Sequence, residues 1–407
     1  MVVALGRTCC IRARWLPVSL LCEAAEGARV NEQFLAYLRG RGISLTEMEP
    51  GVVTPLRFSD RYTEHWATRR RAGLFDFSFM SCFQIEGDEA RAFLKRLQTR
   101  NLARLLPGGF LYTLLLREDG TVHIDATLWD LGQGRYWIIT GRRSDRQHLE
   151  DVASGMDVSI EDRSGRDAVF ALQGPASHAI LADVLGDPDL SLRYFGFRRM
   201  SLCGESVLIA RAGYSGEAGY EILVDSACAV RIWNRLAEAC HEWGGMECGL
   251  ECIDSLRVEA GLILFSRELA WRLTPQTLGL GRLVEAPGCS PWLRSAKLCS
   301  QRNPDESLKL VGLMPLREPI PPPDQPPVAN ATPVIATGHV VVTSRVDSPL
   351  WGHDLGMGLV RVDDGWPGTR VTAANGTRMV VARLPFYDPQ KRLPRAPAAF
   401  PSRNGSR

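Results

Sequence analysis

Between residues 87 and 98 apolar positions fall at helical spacing: Ala90, Phe93, Leu94 and Leu97 stand at i, i+3, i+4 and i+7, which turns one face of a helix into a core. Asp88 is placed to cap that helix. The period then changes from 3.6 to two. Residues 110–116, 121–129 and 135–140 are rich in β-branched and aromatic side chains, and Glu118-Asp119-Gly120 and Gly132-Gln133-Gly134 separate them, the pattern of successive hairpins in a small antiparallel sheet. A second unit follows, with helices over 175–185, 227–243 and 250–260 and strands over 206–211 and 219–224. Further on, residues 337–343, 357–362 and 379–384 alternate like strands of a small β domain. Strands and helices mix without a regular βαβ alternation, so the fold class is α+β and not a doubly wound sheet.

These elements divide the chain into an extension over 1–45 with one helix at 31–39, an α+β domain over 46–160, a second over 161–286, a Pro-rich linker over 287–333, a C-terminal β domain over 334–392 and a polar tail over 393–407. Pro319, Pro321, Pro322, Pro323, Pro326 and Pro327 give the linker its stiff, extended character.

Composition narrows the function classes. Of 407 residues 45% are hydrophobic and 23% charged, a globular balance. Lys+Arg minus Asp+Glu is 48 − 46, or +2, which leaves no surplus field to gather nucleic acid or an anionic membrane. No run approaches the roughly 18 apolar residues of a membrane span. The eleven cysteines show no disulfide-framework or CxxC spacing and read as reduced thiols in a cytoplasmic protein. The mitochondrial matrix is the alternative, because Arg7, Arg12 and Arg14 precede the first acid, Glu23, as in a transit peptide. GxxxxGK[ST], a complete GxGxxG, HExxH and EF-hand patterns are all absent. The seven histidines never recur at metal-ligand spacing, and Cys248 and Cys252 have no second pair nearby, so no metal site is expected. Ser215 lies one residue short of a GxSxG elbow.

Two carboxylates stand out. Over 121–129, Val122, Ile124, Ala126 and Leu128 form one apolar face, while His123, Asp125 and Thr127 project from the other. Aspartate is disfavoured in strands, so Asp125 is either a surface partner of an arginine or a pocket carboxylate that stabilises a developing cation. In 219–224, Tyr220, Ile222 and Val224 alternate against Glu221 and Leu223. Glu221 has the geometry to accept two hydrogen bonds from a planar N–H/NH₂ edge, or to pair with one of the many arginines.

Those same segments resemble the folate-binding aminomethyltransferase family, the T-protein of the glycine cleavage system and its relatives. The matching phrases run in family order from residues 70–78, through Asp119-Gly120 to Asp125, Ala171-Leu-Gln-Gly-Pro175, residues 211–221 and Asp254-Ser-Leu-Arg257, to Pro385-Phe-Tyr-Asp-Pro389. The resemblance implies a three-domain ring with tetrahydrofolate in its central cavity, closed by a C-terminal β domain. It implies that Asp125 is the catalytic acid, that Glu221 binds the pterin, and that Tyr387, Trp137 and Gly141 also contact the folate.

Within the family, Gly141 stands where glycine-cleavage T-proteins carry an Asn, and Ile253 where they carry an Arg. In both respects, and in Pro385-Phe-Tyr-Asp-Pro389, the chain is more similar to the folate domain of dimethylglycine and sarcosine dehydrogenases. The resemblance therefore implies tetrahydrofolate-dependent transfer of an aminomethyl or N-methyl-derived carbon. The donor would be a small amine or a carrier-bound aminomethyl group, delivered by a lipoyl carrier protein or a separate flavin dehydrogenase. A non-catalytic folate-binding or regulatory subunit and a folate-dependent O- or S-demethylase are the alternatives.

Overall fold

The structure is a computed structural model that describes residues 32–285, 307–326 and 331–396. Three larger sheets make up most of the fold, and the first two line one cavity. In the first, five antiparallel strands lie in the order Gly109–Leu116, Val122–Gly132, Arg135–Thr140, Ser81–Glu86, Ser159–Asp162. Alternation on Val122–Gly132 divides its side chains as the sequence pattern requires. Val122, Ile124, Ala126 and Leu128 enter a core with Phe93, Leu94 and Leu97 of the helix Ala90–Leu97, and Asp125 and Thr127 face the cavity. Glu89, not Asp88, is the N-cap residue of that helix, without a side-chain cap. Its carboxylate accepts instead from the Asp157 N–H at 2.7 Å.

The second sheet orders six strands as Phe197–Leu202, Glu205–Ala210, Gly219–Asp225, Asp167–Gln173, Gly73–Asp76 and Met246–Glu247, the last pair parallel. Helices Ser177–Leu185 and Ala229–Glu242 contribute Ile180, Trp233 and Leu236 to its outer core. The helix Glu32–Gly40 sends Phe34 and Leu38, both fully buried, into the same core. The expected extension therefore includes an integral piece of the second domain. Strand Gly73–Asp76 likewise crosses the expected boundary, since it pairs with Asp167–Gln173. The first two sheets meet through Phe110, Trp129, Trp137, Leu208, Ala210 and Leu223, with the Phe110 and Trp129 rings stacked at 4.4 Å.

The third sheet orders Val341–Ser348, His353–Arg361, Leu308–Pro315, Arg378–Ala382 and Arg370–Thr372. Its central strand, Leu308–Pro315, lies inside the segment expected to be a linker, and Leu310, Val311 and Leu313 are buried. The prolines that follow run along this sheet. Ile320 is buried among its side chains, and Asp324 exchanges hydrogen bonds with the Val342 backbone. Pro327 falls outside the described residues. The expected tail also begins as structure, because a turn at Leu393–Arg395 returns towards the cavity and the Ala396 carbonyl accepts from Arg211. Among the described residues no helix is long and apolar enough to cross a membrane.

Helix Arg61–Arg70 has no apolar stripe, yet Glu64, His65, Thr68 and Arg69 are buried. Those positions recur at i, i+1, i+4 and i+5, so one helical face is buried and it is polar. The face packs on helix Leu250–Glu259. Arg69 binds Glu259 at 2.7 Å and Glu217 at 2.9 Å. Glu259 also accepts from Ser348 of the third sheet and stands 3.3 Å from His65. A buried ionic network thus joins two helices, the turn before Gly219–Asp225 and the C-terminal domain. Each charge in it is paired, as burial demands.

Candidate functional site

The cavity of about 700 Å³ is lined from the first sheet by Asp125 and Thr127, from the second by Glu221, and from the C-terminal segment by Tyr387 and Lys391. Its size suits a ligand of cofactor dimensions.

Asp125 lies opposite Leu114 in the sheet register. Its Oδ2 accepts the Tyr112 hydroxyl at 2.9 Å. Burial pushes its carboxyl up to about 6, and the Tyr112 hydrogen bond acts in the opposite direction. Burial and the neighbouring Asp125 charge raise Tyr112 well above the phenolic range, so it remains a donor. The pocket reading of Asp125 is therefore the one its surroundings favour, over a surface ion pair. His123, on the same face, is drawn away to Asp145 at 3.0 Å.

Glu221 occupies the cavity side of Gly219–Asp225, while Tyr220, Ile222 and Val224 enter the opposite core. Its strand neighbours are Ala171 and Ala210, which offer space and no side-chain donor. Burial alone pushes its carboxyl up to about 7. Glu221 thus presents to the cavity a carboxylate with no hydrogen-bond partner among the described residues. Free donors on a ligand would supply what the fold withholds.

Tyr387 covers the cavity beside these groups. The Arg69 guanidinium lies 4.0 Å from its ring centroid, its N–H donates to the Glu259 carbonyl at 2.8 Å, and its hydroxyl is hydrogen-bonded to Glu217. The ionic network therefore fixes the lid-like segment that carries it. Gly141 also lines the cavity, but its role is spatial. A Cβ there would stand 2.3 Å from Cδ1 of Phe265, so the Phe265 ring takes the volume that any side chain at 141 would need. Gly141→Ala is expected to lower stability by about 1–3 kcal/mol through overpacking. Adding Phe265→Ala should recover part of that loss in urea unfolding if the ring is the obstacle.

Trp137 is not brought to the cavity. It sits in the core between the first two sheets, its Nε1–H donating to Gln84 Oε1 at 3.2 Å. Ile139, two residues along the same face, reaches the cavity wall in its place. One strand repeat of about 6.5–7 Å separates the two positions.

Further residues lining or adjoining the cavity are tied up in structural contacts. Arg257, 1% exposed, donates to Asp254 at 2.7 Å, to Glu268 at 3.3 Å and to Ser344 of the third sheet at 2.8 Å. The surrounding carboxylates raise its pKa against the opposing effect of burial. The signal for it was the Asp254-Ser-Leu-Arg257 phrase, whose i, i+3 spacing sets acid and base on one helix face. Tyr214 donates to the Ile263 carbonyl, a link between distant loops that local pattern does not encode. Ser215 is engaged by Gln173 and the Glu217 N–H. Glu64, Cys248 and Cys252 cluster closely enough to offer three ligand atoms. However, the N–H groups of Phe58, Ser59 and Gly249 already donate to Glu64, and burial holds Cys248 as a thiol.

A cavity walled by two sheets that place Asp125 and Glu221 on it, and bordered by the segment that follows the third sheet, defines an α+β protein built around one central cavity. The chain belongs to the family described as "GCVT N-terminal domain", whose model matches residues 38–287, more than half of the chain. It is 34% identical over 370 residues to an aminomethyltransferase of Streptomyces coelicolor, covering 87% of this chain and 96% of that one. It is also 34% identical to an aminomethyltransferase of Bacillus subtilis, covering 82% and 92%. The solved structure of the glycine cleavage system aminomethyltransferase T from Bartonella henselae matches with a TM-score of 0.71 at 26% identity, over 88% of this chain and 97% of that chain.

Proposed function

We propose that this chain is a tetrahydrofolate-dependent one-carbon transferase of the aminomethyltransferase kind. The observation that carries the reading is the pair of carboxylates facing one cavity from adjacent sheets: Asp125 held by Tyr112, and Glu221 without a partner among the described residues. The donor set suits the group, because a bare carboxylate between two alanines matches the N–H/NH₂ edge of a pterin. Bound tetrahydrofolate supplies the nitrogen nucleophiles that accept a one-carbon unit.

Glu221 anchors and orients the flat edge. Asp125 places a fixed negative charge where positive charge develops on an iminium-like carbon fragment, in a cavity that excludes much of the water. Tyr112 keeps that carboxylate aimed, and Tyr387 closes the site. The carbon comes from an aminomethyl or N-methyl-bearing amine. A lipoyl carrier protein or a separate flavin dehydrogenase delivers it. Gly141 under the Phe265 ring, together with buried Ile253, gives this cavity two apolar wall positions, which supports the N-methyl-derived donor.

Calorimetric titration with tetrahydrofolate tests the reading. Glu221→Gln should cost about 1.5–3 kcal/mol, tenfold or more in affinity, as loss of a charge-assisted pair. Equal affinity in the variant contradicts the anchor role. Binding without any transfer to folate, from amine or carrier donors, would instead support a non-catalytic binding subunit.

The pH dependence has a definite sign. With the carboxyl of Glu221 raised to about 7, the anionic form that accepts both N–H bonds declines as pH falls below 7. Affinity should therefore drop from pH 8 to pH 5.5. In the free protein the same shift works the other way: stability is fullest below the unfolded value near 4.5 and is lost as pH rises through about 7. Thermal unfolding with and without ligand across this window reads both effects.

A further inference from the structure

Asp76 ends strand Gly73–Asp76 and is 4% exposed. Its Oδ1 accepts from the Ser78 N–H at 3.0 Å, which closes the turn after the strand. Its Oδ2 is buried with no hydrogen-bond partner among the described residues. Burial pushes the carboxyl up to about 6, opposed by hydrogen bonds from Ser78 and by no neighbouring cation among the described residues. The turn uses one oxygen and would be served as well by an amide. A carboxylate there, mostly ionised at pH values above that range, is costly unless something satisfies its second oxygen.

Asp76 lies on the wall of a second, smaller void of about 10 Å³, lined also by Thr54, Phe77, Phe79 and Cys248. Such a volume holds one particle the size of a water molecule. Phe77, Phe79, Leu250 and Ile253 line both this void and the central cavity, so these side chains stand between the two spaces. Thr54 donates its hydroxyl proton to the Asp76 carbonyl at 3.4 Å and keeps its lone pairs for an incoming donor. The Phe77 and Phe79 rings lie 5.8 Å apart at 60° and offer π faces to a cation. Cys248 is held as a thiol by burial and adds no charge. Hard metal ions take roughly six or more oxygen ligands. Ammonium, of about the size of water and tetrahedral in its N–H donors, suits one carboxylate, one hydroxyl and aromatic walls.

We propose that Asp76, Thr54 and the Phe77 and Phe79 rings form an ammonium site beside the cavity, which takes up the nitrogen released as the carbon passes to folate. The inference rests on the transfer reading above and narrows its donor. Moving the carbon of CH₂=NH₂⁺ to two folate N–H groups breaks its bond to nitrogen, and that nitrogen takes both protons and leaves as NH₄⁺. The void admits this ion and not a methylated amine. The nitrogen of the fragment therefore carries no substituent, whether the carbon began in a carrier-bound aminomethyl group or in methylamine.

Nuclear magnetic resonance with nitrogen-15 ammonium chloride at neutral pH reads the site without folate or a carbon donor. Free ammonium exchanges its protons with water too fast to be seen, whereas a buried ion gives a proton–nitrogen correlation. The unaltered protein should show that signal, D76N should lose it, and T54V should weaken it. Methylammonium should compete about tenfold less well than unlabelled ammonium, since its methyl group exceeds the room available. Potassium should compete poorly for want of oxygen ligands. Both competitions use the unaltered protein and stand even if a variant misfolds. Absence of the signal in the unaltered protein, its retention by D76N, or displacement by methylammonium or potassium as readily as by ammonium overturns the site.

Product inhibition separates this inference from the functional reading. During transfer to tetrahydrofolate, ammonium chloride should inhibit where sodium chloride at equal ionic strength does not. D76N should raise the inhibition constant about tenfold, the usual loss of a charge-assisted bond. Transfer with the same inhibition constant in D76N leaves the functional reading standing and removes the ammonium site. An ammonium signal that D76N loses, in a protein that transfers no carbon to folate, supports the site while the functional reading fails.

Discussion

Replacing Asp125 with Asn is expected to lower the rate of one-carbon transfer by about 10²–10³-fold, the usual cost of losing one pre-aimed electrostatic group, with tetrahydrofolate affinity nearly unchanged. The side chain keeps its shape and its contact with Tyr112, while the negative charge is lost. Under the proposed reading the two carboxylates divide the work by position: Glu221 has no hydrogen-bond partner among the described residues, and Asp125 already has an orienting hydroxyl. Single-turnover transfer measured beside calorimetric binding reads the two quantities separately. A variant that transfers at the original rate removes Asp125 from the chemistry. One that merely fails to bind moves it to the anchoring role.

The second large effect concerns stability. Arg69→Met should cost about 3–5 kcal/mol, the range for stripping one partner from a buried ion pair, and appear as a marked fall in the urea midpoint. Arg69 is 3% exposed at its side chain and serves Glu217, Glu259 and the Ser215 and Leu256 carbonyls together. Its removal strands two carboxylates in the interior, and it also removes the cation from beneath the Tyr387 ring. The double variant Arg69→Met with Glu259→Gln should lose less than the sum of the single losses, because it no longer leaves Glu259 unpaired. Strict additivity would show that the network is not a unit.

The contrast between Arg69 and Asp125 also shows what sequence patterning can and cannot reach. Asp125 was legible because an acid in a strand whose other face is apolar conflicts with local preference, and such conflicts gather at functional sites. Glu221 was legible for the same reason, and the helix and hairpin periods around both gave the sheets their faces. Helix Arg61–Arg70 was not legible, since its buried face is made of Glu64, His65, Thr68 and Arg69 and hydrophobic periodicity is blind to a polar core. Strand Leu308–Pro315 was hidden among prolines and loop residues, although it is the centre of the third sheet. Helix Glu32–Gly40 was visible as a helix but not as a part of the second core, because what it packs against lies far along the chain. Trp137 shows the opposite failure. Its strand and face were right, but two residues of register separate the cavity wall from the core between the sheets.

Gly141 is informative in the same way. Resemblance placed a folate contact there, and the structure supplies the reason that the position is a glycine: Phe265, more than a hundred residues away, fills the space. Pairs of this kind are set by tertiary packing and leave no periodic trace.

The central claim is that the cavity holds tetrahydrofolate with its pterin edge on Glu221 and its carbon-accepting nitrogens towards Asp125. A crystal structure of the protein with tetrahydrofolate tests it most directly. Two hydrogen bonds from the pterin to the Glu221 carboxylate are expected, within about 2.7–3.2 Å, with Asp125 next to the reactive nitrogens and Tyr387 over the ligand. Folate bound elsewhere on the surface, or in the cavity with Glu221 still unpartnered, would contradict it.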